Sequence, residues 1–252
     1  MKGEKGQLAI FIILALVVIG GALVFFVIRN QQGTEITSGK SDSTIYSYTE
    51  DCIETAILDS VETLGLQQGY YSVPGSKSLD TGFSRIAYYY FNGDVLVPNS
   101  NFIGGELSKI INDKISGQCN DFSIFEEENF IVESLDSSSK TSISENEIMV
   151  DVDYPVSIRD ENSSDRFSDF SYKLPIRLGH IIDVSENLVN RIKENQSELD
   201  LTYLLNQDVD ISIDDYDECN KIYILIDNIS IVNDEPYAFT FAVKLDEQYC
   251  AK

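Results

Sequence analysis

The sequence predicts an α+β protein with one N-terminal transmembrane helix, followed by an extracytoplasmic domain of mostly antiparallel sheet with about three helices. Three observations predict it: an uncharged run near the N-terminus, alternating apolar residues typical of strands, and apolar residues at helical spacing between those strands. The predicted divisions are a prepilin-type leader at 1–6, the transmembrane helix at 7–29, a flexible tether at 30–44 and the extracytoplasmic domain at 45–252.

The uncharged run extends from Leu8 to Ile28. As a helix rising about 1.5 Å per residue it is about 31 Å long, which matches a hydrocarbon core of about 30 Å. Lys2 and Lys5 precede it, and mostly polar and acidic residues follow Arg29. Since positive charge is retained on the cytoplasmic side, the pattern predicts a single-pass membrane protein with a cytoplasmic N-terminus and an extracellular C-terminal domain.

The formal net charge of -24 belongs almost entirely to the predicted domain. It argues against nucleic acid or an anionic membrane surface as a partner, because both attract clusters of Lys and Arg. Cations, basic proteins or a salty medium are compatible with it, although a soluble, self-repelling exterior is the simpler explanation.

Helices and strands alternate through the first half of the domain. Ser47 to Glu50 forms a capping box, which predicts a helix over 48–66. Asn92-Gly93 predicts a hairpin turn after an aromatic strand at 83–91. Apolar residues from Leu107 to Ile115 share one face of a second helix.

Two alternating segments, Ile148 to Ile158 and Phe170 to Leu178, predict a long hairpin with one solvated face. Pro155 and Pro175 cannot donate to a ladder, so we expect them at bulges or on unpaired sides. Helical spacing returns over 182–205, with a break near Gln196.

The four cysteines lie after the apolar run, outside any CxxC arrangement, and their even number predicts two disulfides. If strands 222–231 and 237–245 pair about Asp234 and Glu235, partner numbers sum to 469, so Cys219 faces Cys250. Cys52 is then left to pair with Cys119.

Weaker signals mark other candidate sites. Asp214, Asp215 and Asp217 crowd the ligand type that Ca²⁺ prefers, without the spacing of a calcium loop, so a solvated acidic turn is the simpler explanation. Acceptor triplets for N-glycosylation occur at three positions. They begin at Asn162, Asn195 and Asn228.

His180 is the only histidine, so Ser-His-Asp or Cys-His catalysis would require it. No GxSxG, phosphate loop or HExxH accompanies it, so we expect a structural histidine, no cofactor and no enzyme.

Lys5-Gly6-Gln7 and the apolar run after them resemble the class III, prepilin-type signal peptides of archaea. The resemblance implies cleavage between Gly6 and Gln7, with the apolar run kept in the mature protein. Pilins often carry Glu five residues into the mature chain, where this sequence has Phe11, and the polar tether interrupts the long helix of a pilin. Residues 52–71 also look similar to a stretch in uncharacterised anchored proteins of small-genome archaea.

These observations favour a membrane-anchored, pilin-like cell-surface protein with a structural, adhesive or interaction role. Its expected partners are the lipid bilayer, through Leu8 to Ile28, and other cell-envelope or pilus proteins. One alternative is a subunit of a type IV pilus-like filament. Another is a surface solute-binding module or hydrolase with its site near Tyr70-Tyr71 and Tyr88 to Tyr90.

Overall fold

A computed structural model describes residues 42–126, 129–161, 163–198 and 200–250. The predicted leader, transmembrane helix and most of the tether lie outside these ranges. Within them, no helix has both the length and the apolar composition needed to cross a membrane. The predicted fold class is therefore corrected: the described part of the chain is an α+β domain without a membrane-crossing helix.

The described residues form three long helices and two short ones, instead of about three. They are α1 (Asp42–Leu66), α2 (Ser100–Gln118), α3 (Ser123–Glu126), α4 (Leu178–Glu194) and α5 (Leu201–Leu205), and a 3-10 helix spans Glu247–Tyr249. The capping box predicted a helix start at 48, but the chain is already helical at Asp42, the first described residue. The predicted break near Gln196 is confirmed, because it separates α4 from α5.

The strands form two sheets. They are β1 (Ser78–Asp80), β2 (Arg85–Phe91), β3 (Asp94–Val95), β4 (Ile131–Ser134), β5 (Ser138–Ile143), β6 (Ile148–Arg159), β7 (Ser164–Leu174), β8 (Asp210–Asp215), β9 (Asn220–Val232) and β10 (Glu235–Lys244). The larger sheet has the order β1-β2-β10-β9-β8, with β3 beside β2, and the smaller has β4-β6-β5, with β7 on β6. The larger sheet is mixed, because β10 runs parallel to β2. A mostly antiparallel sheet was expected because hairpin signals come from residues that are close in the sequence. The parallel pair joins Tyr88 to Ala242, which are far apart in the sequence.

Helix α1 contacts both sheets, through β7 on one side and through β9 and β10 on the other. The Tyr46 ring packs on Phe167 and Phe170, with centroid separations of 5.1 and 5.4 Å. At the other end, a Cβ on Gly65 would lie 2.3 Å from the carbonyl oxygen of Ala238, so only glycine allows this approach. Most buried apolar residues in the described ranges form one hydrophobic core shared by the helices and both sheets, and a small second cluster surrounds Tyr88.

The long β6–β7 hairpin is confirmed, with Ile148 opposite Leu174 and a register shift at Pro155. The predicted β9–β10 register is wrong. The turn lies at Asn233-Asp234, and Lys221 pairs with Val243 further down, because residues 228–230 bulge out of β9. The bulge moves every later partner and also changes the phase of the alternation, because Tyr223 and Leu225 are buried before it, and Ser230 and Val232 after it.

Candidate functional site

Two disulfides close the domain. Cys52–Cys119 joins α1 to the end of α2 with a Cα separation of 5.8 Å, and Cys219–Cys250 has a separation of 4.6 Å. These are the pairs inferred from the sequence, although the chain reaches Cys250 through the 3-10 helix and not along the predicted ladder. Disulfides persist in oxidising compartments, so they indicate an extracellular location for this domain.

Two carboxylates of the predicted acidic turn, Asp215 and Asp217, bond to groups nearby in the chain. Asp217 accepts hydrogen bonds from the N–H groups of Cys219 and Asn220, both at 2.8 Å. Asp215 forms an ion pair with Lys221. No group of three or more His, Cys, Asp or Glu side chains in the described ranges is arranged to hold a metal ion.

The glycosylation triplets differ in accessibility. Asn162 lies outside the described residues. Asn195 is exposed after α4, and its Oδ1 accepts a hydrogen bond from the Ser197 hydroxyl at 2.7 Å. Asn228 is exposed in the β9 bulge, but Ser230 of the same triplet is fully buried. Asn195 is therefore the more accessible described candidate, and its modification stays a prediction.

His180 belongs to a charged cluster at the start of α4. Arg177 donates from Nη2 and Nε to the carboxylate of Asp227, at 2.6 and 3.0 Å, and from Nη1 to Asp208 at 2.5 Å. The Nε2 atom of His180 lies 2.6 Å from the other oxygen of Asp208. Asp227 is fully buried. The cluster thus joins the start of α4 to β9 and to the residues before β8.

Hydrogen bonding keeps Arg177, Asp208 and Asp227 charged. Burial alone raises the pKa of Asp227, but hydrogen bonds from Arg177, Ser230 and the N–H of Ile229 outweigh burial and hold that pKa below its usual range. A hydrogen bond from Arg177 is the main cause that lowers the pKa of Asp208. The hydrogen bond to Asp227 in turn raises the pKa of Arg177.

This arrangement does not form a catalytic triad in the described residues. A triad needs a hydroxyl or thiol within hydrogen-bond reach of the histidine. The hydroxyl of Ser230 instead donates to Asp227 at 2.5 Å and accepts the N–H of Arg177 at 2.8 Å. Among the described side chains, the ring of His180 hydrogen-bonds only to Asp208. The geometry favours a structural clamp.

Tyr88 to Tyr90 pack in the interior, whereas Tyr71 of the other tyrosine-rich segment is exposed. Tyr89 is fully buried and stacks on Phe241 with a centroid separation of 4.7 Å. The Tyr90 hydroxyl accepts a hydrogen bond from Gln196 at 2.8 Å. Clefts of about 450 and 400 Å³ flank residues 195–198, and another, of about 310 Å³, is lined by Tyr71 together with residues of α1 and α2.

The larger sheet presents a second apolar side. Tyr223 and Leu225 of β9 face the core, so Ile222, Ile224 and Ile226 face the opposite side. Ile222 joins a small cluster around Tyr88 there, whereas Ile224 and Ile226 belong to neither hydrophobic cluster of the described residues.

This apolar side continues beyond the bulge. Ile229 and Ile231 are 65% and 51% exposed. Ala238 on β10 lies directly opposite Ile226 and is half-buried. We define the open face as Ile224, Ile226, Ile229 and Ile231 of β9 with Ala238 of β10.

The outer side of the smaller sheet, unlike the open face, is polar. On the outer side of β6, Asp151 lies opposite Lys140 and Ser171, and Asp153 lies opposite Asp169. A solvated sheet face is normally polar in this way. The open face instead has the apolar composition of a sheet side that another element covers.

Sequence reasoning missed the open face, although a signal was present. Residues 222–226 read IYILI, which is apolar at every position and not at alternate ones. Such a run is typical of a strand with apolar surroundings on both sides.

No model of a known protein family matches this chain, and no curated protein or solved structure matches it.

Proposed function

We propose that the chain is a cell-surface protein with a structural or adhesive role, and that its extracellular domain docks onto another envelope component through the open face. The observation that carries the proposal is the row of isoleucines on β9, which is half-buried at Ile224 and Ile226 and exposed at Ile229 and Ile231. Exposed apolar patches on a sheet that is otherwise well packed mark sites of protein interaction.

The charged cluster supports binding over hydrolysis as the role. Arg177, Asp208 and Asp227 satisfy one another, and His180 hydrogen-bonds only to a carboxylate among the described side chains. The residues that a hydrolase would use are thus engaged in holding α4 to the larger sheet.

Attachment to the cell belongs to the same proposal and is supported by sequence alone. The apolar residues Leu8 to Ile28 would bind the lipid bilayer, and Gly6-Gln7 would be the processing site implied by the resemblance to class III signal peptides. The two disulfides fit a domain that works outside the cytoplasm.

Site-specific photo-crosslinking on intact cells that produce the full-length chain tests the docking role. A crosslinking residue replaces Ser212, which lies opposite Ile224 on the same side of the larger sheet. The matched control replaces Ser171 on the polar side of the smaller sheet. We expect a discrete envelope adduct from position 212 and none from 171. Equal adducts from both positions, or none from either, would contradict the proposal.

A further inference from the structure

We propose that the partner of the open face is a basic segment of another surface protein, with aliphatic side chains and two Lys or Arg residues spaced about 13 Å apart. This inference rests on the proposed function, because it names the chemistry of the partner for the same surface.

Two carboxylates on the edge strand β8 set the charge of that partner. Asp210 lies opposite Ile226, and Asp214 lies opposite Ile222. Cross-strand partners project to the same side of a sheet, so both carboxylates flank the isoleucines. Four residues of extended strand separate them by about 13 Å.

Asp210 and Asp214 can each bind a cationic side chain from another molecule. Both side chains are exposed. The side chain of Asp214 makes no hydrogen bond or ion pair with another described residue, and Asp210 accepts one hydrogen bond, from Asn228 at 2.7 Å. Each can therefore accept a Lys or Arg without losing an internal ion pair.

A second copy of the chain fits this surface poorly. Each copy carries a formal net charge of -24, and two open faces in contact would bring four of these carboxylates together. Like charges across an interface oppose association, whereas opposite charges accelerate it and fix its register. A basic partner supplies that complementarity, and its aliphatic side chains cover the isoleucines.

Binding of short synthetic peptides to the purified full-length chain in phosphatidylcholine nanodiscs tests the inference. One peptide alternates Val and Thr and carries two lysines four positions apart. The matched peptide has glutamate at those two positions. Fluorescence anisotropy at low and high salt, with empty nanodiscs as background, measures the two affinities.

We expect the lysine peptide to bind about tenfold tighter than the glutamate peptide at low salt, with most of this preference lost at high salt. Asp210→Asn combined with Asp214→Asn should remove most of the preference. The matched control, Asp151→Asn with Asp153→Asn, removes the same charge from the polar side of the smaller sheet. It should leave the preference for the lysine peptide intact. Ile226→Lys should abolish binding of the lysine peptide.

Three results would overturn the inference. The first is equal affinity for both peptides. The second is an equal effect of the control pair, which would mean that net charge alone attracts the peptide. Sedimentation that shows a dimer disrupted by Ile226→Lys would replace the basic partner with a second copy. Adducts from position 212 without a lysine preference would leave the docking role standing and refute the basic partner alone.

Discussion

At the scale of single residues, Arg177 has the largest structural task. Its guanidinium lies between the fully buried Asp227 and the exposed Asp208, and its own N–H donates to the buried Ser230. A buried carboxylate that loses its cation keeps the cost of desolvation without the compensating attraction. Arg177 should therefore matter far more to folding than an arginine in an exposed ion pair.

Replacing Arg177 with methionine should lower the free energy of unfolding by about 3 to 5 kcal/mol, because Asp227 is left buried and unpaired. Urea titration measures this change. Arg159→Met is the matched control: Arg159 pairs with an exposed Glu133, so its loss should cost no more than about 1 kcal/mol. Adding Asp227→Leu to Arg177→Met should recover part of the loss. A similar loss of unfolding free energy in Arg177→Met and Arg159→Met would contradict the structural role given to Arg177.

At the scale of elements, Gln68 connects two strands that diverge. Strands β2 and β10 pair only over their later residues, from Tyr88 onward on β2. The side chain of Gln68 lies just before that point, where its Oε1 accepts the N–H of Ala87 at 2.9 Å and its Nε2 donates to Thr240 at 3.2 Å. A buried amide side chain thus replaces the missing ladder contact.

Gln68→Leu should reduce stability by about 1 to 3 kcal/mol, because the N–H of Ala87 loses its acceptor in a buried site. Hydrogen exchange read at Ala87 should accelerate more than exchange in the distant β6–β7 hairpin. Gln118→Leu, at an exposed position ending α2, is the control and should change neither quantity. Unchanged protection at Ala87 would show that the strands hold together without this side chain.

Local signals allowed prediction of the elements but not of their assembly. The Asn92-Gly93 turn and the β6–β7 hairpin follow from residues adjacent in the sequence, and the structure confirms both. The parallel pairing of β2 with β10 and the contact of His180 with Asp208 depend on residues far apart in the chain. Neither pattern nor spacing encodes such contacts, so the mixed sheet and the charged cluster were not predicted.

The open face was partly predictable for a related reason. The run Ile222 to Ile226 indicates apolar surroundings on both sides of β9, but only the structure shows that helices cover just one of them. The bulge at 228–230 then extends the apolar side to Ile229 and Ile231. Sequence alone predicted the strand, and the packing of α1 determined which side stays open.

At the scale of the whole molecule, charge opposes compactness. The formal net charge is -24, and many carboxylates lie on the surface, including Asp151, Asp153 and Asp169 on one side of the smaller sheet. Few described cations offset them, and most ion pairs between side chains are partly exposed. Folding gathers these charges, so their mutual repulsion lowers the stability of the native state.

Salt should therefore stabilise this protein. Raising sodium chloride from 0.1 to 1 M shortens the Debye length from about 10 to about 3 Å, which screens repulsion between surface carboxylates. We expect the melting temperature at pH 7 to rise by about 4 °C or more, as a gain of one to two kcal/mol would give for a domain of this size. Near the sequence pI of about 4.2 the net charge is small, so the same salt series should shift the melting temperature much less. A melting temperature that falls with salt at pH 7 would mean that exposed ion pairs, and not repulsion, dominate the electrostatics of the fold.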